Sequence, residues 1–163
     1  MTSRIRRVVL SLAAMCVPSL AFAYTITMSS PQEGTTWTVG ANMTVHGQIT
    51  WRVDTRDMNK AIMEPRPDTC IVYIHAGGAS GTVTNSANAA INVVTTPDGQ
   101  NVTVGTETYT ATLELRAANP PIGGGNGGPA TYFVEAVPYA LGQPILLNGV
   151  ALNVLRQITV QGG

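Results

Sequence analysis

The side chains able to do chemistry are few and scattered: His46 and His75, Cys70, and the strand carboxylates Glu114 and Glu135. A zinc site needs further His, Cys or carboxylate ligands at workable spacing, and Cys70 with His75 is the nearest pair. Five residues apart on an alternating strand, they point to opposite faces and cannot clasp one metal between them. Glu114 and Glu135 could flank a cleft as a glycosidase pair. Glu114, however, falls on the wet side of a clean alternation, where a solvated charge is expected. Asp54, Asp57, Asn59 and Glu64 offer oxygen ligands for calcium, but their spacing fits no defined loop and no glycine supplies the sharp turn. Gly77-Gly78-Ala79-Ser80-Gly81 displaces its serine from the Gly-x-Ser-x-Gly elbow and is followed by no helix. Gly123-Gly124-Gly125-Asn126-Gly127-Gly128 matches a phosphate loop only in glycine content, without the Lys-Ser/Thr ending or a helix dipole. The expectation is no catalytic, cofactor-binding or metal residue, and no enzymatic activity.

Aromatic side chains could instead form a sugar-binding platform. Trp37 falls in a turn, Trp51 at a strand end, and Tyr132 and Tyr139 flank the last strand pair. Trp51 continues the apolar face of its strand and belongs to the core, and Trp37 is read as packing against a corner. Asn42-Met43-Thr44 and Asn101-Val102-Thr103 fit the glycosylation sequon, idle behind a bacterial-type export signal.

The elements that must position these residues are strands. Tyr109, Ala111, Leu113 and Leu115 alternate with Thr110, Thr112, Glu114 and Arg116, a half-buried strand with one wet face. Met43, Val45, Gly47, Ile49 and Trp51 repeat the pattern, as do Tyr24, Ile26 and Met28. Leu152, Val154, Ile158 and Val160 share a face that only Arg156 interrupts. Cys70 to Ala76 and Thr131 to Val137 are apolar on both faces and read as central strands. Ala90 to Thr95 and Asn101 to Val104 are joined by a Pro97-Asp98-Gly99 turn. That makes about eight strands. The one helix candidate, Thr55 to Met63, is short, polar and stopped by Pro65 and Pro67. Arg52 to Thr69 and the Gly/Pro/Asn-rich stretch Asn119 to Pro129 read as loops. Many short strands between turn residues predict an all-β antiparallel sandwich.

The N-terminus predicts export. Arg4, Arg6 and Arg7 precede an apolar run from Val8 to Val17, and Ala21-Phe22-Ala23 supplies a small-x-small cleavage pattern. The expected organisation is a signal peptide over 1–23 and one domain over 24–163. The apolar run is roughly half the length of a bilayer-spanning helix, which argues against a membrane anchor. Met15 before Cys16 argues against a lipoprotein signal. Cleavage leaves six basic against nine acidic residues, a net charge of −3, with no basic stripe for nucleic acid. It also leaves Cys70 alone, a buried thiol or an intermolecular disulfide partner rather than half of an intrachain bridge.

Ser30-Pro31-Gln32-Glu33-Gly34, then Trp37-Thr38-Val39-Gly40, then Met43-Thr44-Val45-His46-Gly47, resembles the opening of bacterial extracellular immunoglobulin-like (fibronectin III-like) modules. The resemblance implies a first strand, a Ser-Pro-x-x-Gly corner, a second glycine turn and a strand B. It covers about the first quarter of the expected mature chain and names a superfold that hosts many functions. The function expected is that of an exported, non-catalytic binding or structural module, periplasmic, cell-surface or secreted. It would act through protein or surface contacts, without cofactor, nucleic acid or membrane span. A self-assembling fibre or pilus-type subunit is the alternative, with Tyr24 to Met28 inserting into a neighbour. A carbohydrate-binding module or a glycan hydrolase using Glu114 or Glu135 comes third.

Overall fold

The structure, a computed structural model, describes residues 24–54, 66–97, 102–118 and 128–162. The segment expected as a signal peptide, the helix candidate at 55–63, the turn residues 98–99 and positions 119–127 of the glycine-rich loop lie outside these residues. In chain order the strands are β1 (Tyr24–Ser30), β2 (Thr36–Thr38), β3 (Asn42–Asp54), β4 (Thr69–Ala76), β5 (Thr82–Asn88) and β6 (Ala90–Pro97). They continue with β7 (Val102–Glu114), β8 (Ala130–Ala140), the two-residue pieces β9 (Gln143–Pro144), β10 (Leu146–Leu147) and β11 (Val150–Ala151), and β12 (Val154–Gln161). Eight of the twelve have seven residues or more.

The fold is all-β, and two sheets make it. One has the order β1-β3-β7-β6, antiparallel throughout. The other runs β2-β12-β8-β4-β5, antiparallel except where β2 lies parallel to β12, with β9 added to β8. The inner faces meet in one core. Met43, Val45, Ile49, Tyr109, Ala111 and Leu113 come from the first sheet, and Val72, Ile74, Val134, Ala136, Ile158 and Val160 from the second. Period-two alternation places them there, since every second side chain of a strand faces the opposite sheet. The result is a β-sandwich. Among the described residues no helix is long and apolar enough to cross a membrane.

Several elements depart from the sequence reading, the short strands β9, β10 and β11 among them. The segments expected as two strands, 101–104 and 109–116, are one strand, β7, of 13 residues. Gly105 does not break it, because the Trp51 ring on β3 occupies the space that a Cβ would fill. β5 went unpredicted: Thr82-Val83-Thr84-Asn85-Ser86-Ala87-Asn88 is mostly polar and exposed, and only pairing with β4 makes it a strand. Trp37 lies in a strand rather than a turn. It is half-buried against the core on β2, and its indole donates to the Thr35 hydroxyl at 3.1 Å.

β1 stays in its own sheet, pairing with β3 from Tyr24↔Trp51 to Ser30↔His46, and Tyr24 and Met28 are buried. Cys70 opens β4 with no exposed surface, and burial pushes its thiol up to about 12. Native protein is therefore expected to label negligibly with a thiol reagent near neutral pH and to label fully in denaturant. Rapid labelling of the native chain would contradict this burial.

Candidate functional site

The outer face of the second sheet carries a polar and aromatic cluster. Outward positions on β4 and β8 are brought side by side by the register Tyr73↔Glu135 and His75↔Phe133. His75 Nε2 lies 2.8 Å from Glu135 Oε2, and Asn153 donates to Glu135 Oε1 at 2.6 Å. His75 Nδ1 faces the Gly81 carbonyl at 3.4 Å, so both ring nitrogens are turned to protein acceptors. The hydroxyls of Tyr73 and Tyr139 meet at 3.1 Å. Burial, then that hydrogen bond, push the Tyr73 phenol up to about 12. The face is held rigid by its own bonds. It presents two phenol hydroxyls and the Glu135 carboxyl beside half-buried Phe133 and Leu155, with Val83 48% exposed on β5.

The chain leaves this face at Tyr139 and returns to it at Asn153, and between them it makes two tight turns. Leu141 and Gly142 have φ of 53° and 74°, and Asn148 and Gly149 have 53° and 81°. Two successive positive φ values are what a type I′ hairpin turn requires. Asn-Gly is the preferred pair for it, and β10 and β11 are the hairpin that Asn148-Gly149 joins. Leu141 breaks the rule, because a bulky side chain is strained in the left-handed region. It is also 78% exposed, and Leu146 and Val150 are 57% and 70% exposed. The connection thus holds three large apolar side chains in water, one of them on a strained backbone.

A buried carboxyl group sits between the sheets. Glu107 on β7 has no exposed surface, and its Oε1 accepts from the Trp51 indole at 3.1 Å and the Arg66 guanidinium at 3.2 Å. Among the described residues Oε2 has no hydrogen-bond partner. Arg66 also lies 6.0 Å from the centre of the Trp51 ring. Burial outweighs the two donors and raises the Glu107 carboxyl above its ordinary range. The folded chain therefore binds this proton more tightly than the unfolded chain does. That contribution to stability is complete below the ordinary carboxylate range and is lost as pH rises through the folded value. Glu107→Gln cannot ionise, so its melting temperature should exceed the parent's at pH 8, with the gap closing toward pH 4. A gap that widens on acidification would contradict the assignment.

The sequence candidates land apart from one another. Glu114 is exposed on the outer face of the first sheet, 3.5 Å from Arg116, while Glu135 lies on the outer face of the second. They do not form the glycosidase pair. Cys70 points into the core and His75 out of it. His46 bonds the Thr110 hydroxyl at 2.8 Å on the other sheet. Tyr132 is no platform, being 3% exposed with its hydroxyl accepting from the Ala118 amide at 3.0 Å. Trp51 is core, as its alternation implied. Asp57, Asn59 and Glu64 lie outside the described residues. Among the described residues no three His, Cys, Asp or Glu side chains are grouped to hold a metal ion.

Sequence reasoning missed the Glu135–His75–Asn153 network because its members are 60 and 18 residues apart and meet only through the β4–β8–β12 register. No protein-family model matches the chain, and comparison with curated proteins finds no match.

Proposed function

We propose that the protein is an exported, non-catalytic contact module that binds a protein or surface partner. The contact region is the β8–β12 connection together with the outer face of the second sheet. The observation that carries this reading is the exposure of Leu141, Leu146 and Val150, with Leu141 at φ 53°. Strained backbone persists where function retains it, and exposed large apolar side chains gathered on one connection mark contact sites. Export rests on the N-terminal pattern of charge, apolar run and small-x-small site. The immunoglobulin-like resemblance is supported by strand order. β1-β3-β7-β6 and β12-β8-β4 follow the A-B-E-D and G-F-C arrangement of such sandwiches. The fibre alternative has less behind it, since β1 is already engaged with β3.

Leu141→Asn separates strain from packing. Asparagine tolerates the left-handed region, so the variant should be more stable than the parent by about 1 kcal/mol. In cells of the native host, a photo-crosslinking residue at Val150 should yield a discrete adduct that Leu141→Asn weakens. The same probe at Thr44, on the outer face of the first sheet, should yield none. A destabilised variant, or adducts of equal yield from both faces, would overturn the reading.

A further inference from the structure

A sheet edge exposes a row of backbone donors and acceptors, and proteins ordinarily guard it with charge, proline, a bulge or brevity. This sandwich has four edges: β1 and β6 on the first sheet, β2 and β5 on the second. Three are guarded. β1 has a register shift between Met28 and Ser30, the Tyr109 hydroxyl donates to its Thr27 carbonyl at 2.8 Å, and Arg156 donates to its Met28 carbonyl at 3.3 Å. β2 is three residues long. β5 is bulged where its register with β4 shifts between Ile74 and His75.

β6 has none of these along its length. It pairs with β7 in unbroken register from Ala90↔Thr110 to Pro97↔Thr103, and only Pro97 closes one end. No Lys, Arg, Asp or Glu occurs between Asp68 and Asp98. The stretch Ile91-Asn92-Val93-Val94-Thr95-Thr96 is rich in β-branched residues and free of charge and proline, the composition that pairs most readily with another strand. Among the described residues nothing hydrogen-bonds to its outer side.

We propose that β6 is a homotypic pairing edge, to which a second copy of this chain adds its own β6 antiparallel across a two-fold axis. The occupant of a strand edge must be an extended backbone. A copy of β6 is compatible because an uncharged strand meets no like charge across the ladder, which a charged edge paired with itself would. The two four-stranded sheets become one of eight strands. The pairing closes at two copies, since the described residues hold one such edge per chain and the interface is self-complementary. This contact is separate from the β8–β12 connection and does not depend on its role.

Sedimentation velocity of the exported protein, from micromolar to near-millimolar concentration, is expected to resolve a reversible monomer–dimer equilibrium. Asn92 is exposed on β6, and Asn92→Lys and Asn92→Glu should each weaken the dimer roughly tenfold or more, because each change enters a two-fold interface twice. An equimolar mixture of the two variants should regain association. Thr25→Lys, on the β1 edge, should leave the dimer intact. Hydrogen exchange on the unaltered protein checks the same surface without a variant: amides of residues 90–96 should become protected as concentration rises. A monomer at every concentration, or a dimer indifferent to both Asn92 changes with no new protection in β6, would overturn the proposal.

Discussion

Replacing Gly47 with alanine is expected to destabilise the sandwich by about 3 kcal/mol or more, lowering its melting temperature by on the order of 10 °C. Gly47 lies mid-way along β3, opposite Met28 on one side and Tyr109 on the other. A Cβ there would run into the Thr27 carbonyl oxygen, the Tyr109 hydroxyl and the adjoining ring carbon. None of these can give way cheaply. The carbonyl is backbone of a paired strand, and the Tyr109 ring is wholly buried with its hydroxyl donated to that same carbonyl at 2.8 Å. Either β1 lifts from β3 or Tyr109 leaves the core, and each loses buried apolar area and a hydrogen bond. Chemical unfolding of the variant beside the parent measures the loss. Adding Tyr109→Phe should recover part of it, because one obstructing atom is removed. A Gly47→Ala protein as stable as its parent would mean that β1 and β3 are not so closely apposed.

Much of the architecture was legible from alternation. Met43, Val45, Ile49 and Trp51 on β3, Tyr109, Ala111 and Leu113 on β7, and Leu115 just past its end, are all buried as their spacing implied. What stayed hidden depends on pairing. β5 is mostly polar, with only Val83 and Ala87 apolar, and takes strand form from its neighbour, so no local pattern announced it. Among the eight strands of seven residues or more, the count matched because β5 was missed while β7 was read as two separate segments. Glu107 occupies an inward position that its type disguised. An acid within an apolar alternation is evidence of a buried carboxyl once the strand is known to face the core.

The outer-face cluster was legible only as separate residues. His75 and Glu135 were each placed in strands, but their contact is diagonal across the β4–β8 ladder, one pair removed from direct opposition. That relation exists only after register is set. Leu141-Gly142 gave no turn signal, because leucine is a residue that such a turn ordinarily excludes. The departure from local preference is what makes that turn informative about contact.

On the proposed function the chain is a self-contained sandwich that works by contact, rather than a subunit completed by its neighbour's strand. Deleting β1 tests this most directly. Within its own sheet, β1 buries Tyr24 and Met28 and covers the outer side of β3. Its loss would bare the β3 backbone and an apolar groove, a cost of several kcal/mol by area and hydrogen bonding. The measurement is the melting and size distribution of residues 31–163 beside those of residues 24–163. The shorter chain is expected to be unfolded or aggregated, while the longer one melts cooperatively as a monomer or dimer. A folded, monomeric shorter chain beside a longer chain that forms open polymers would contradict it.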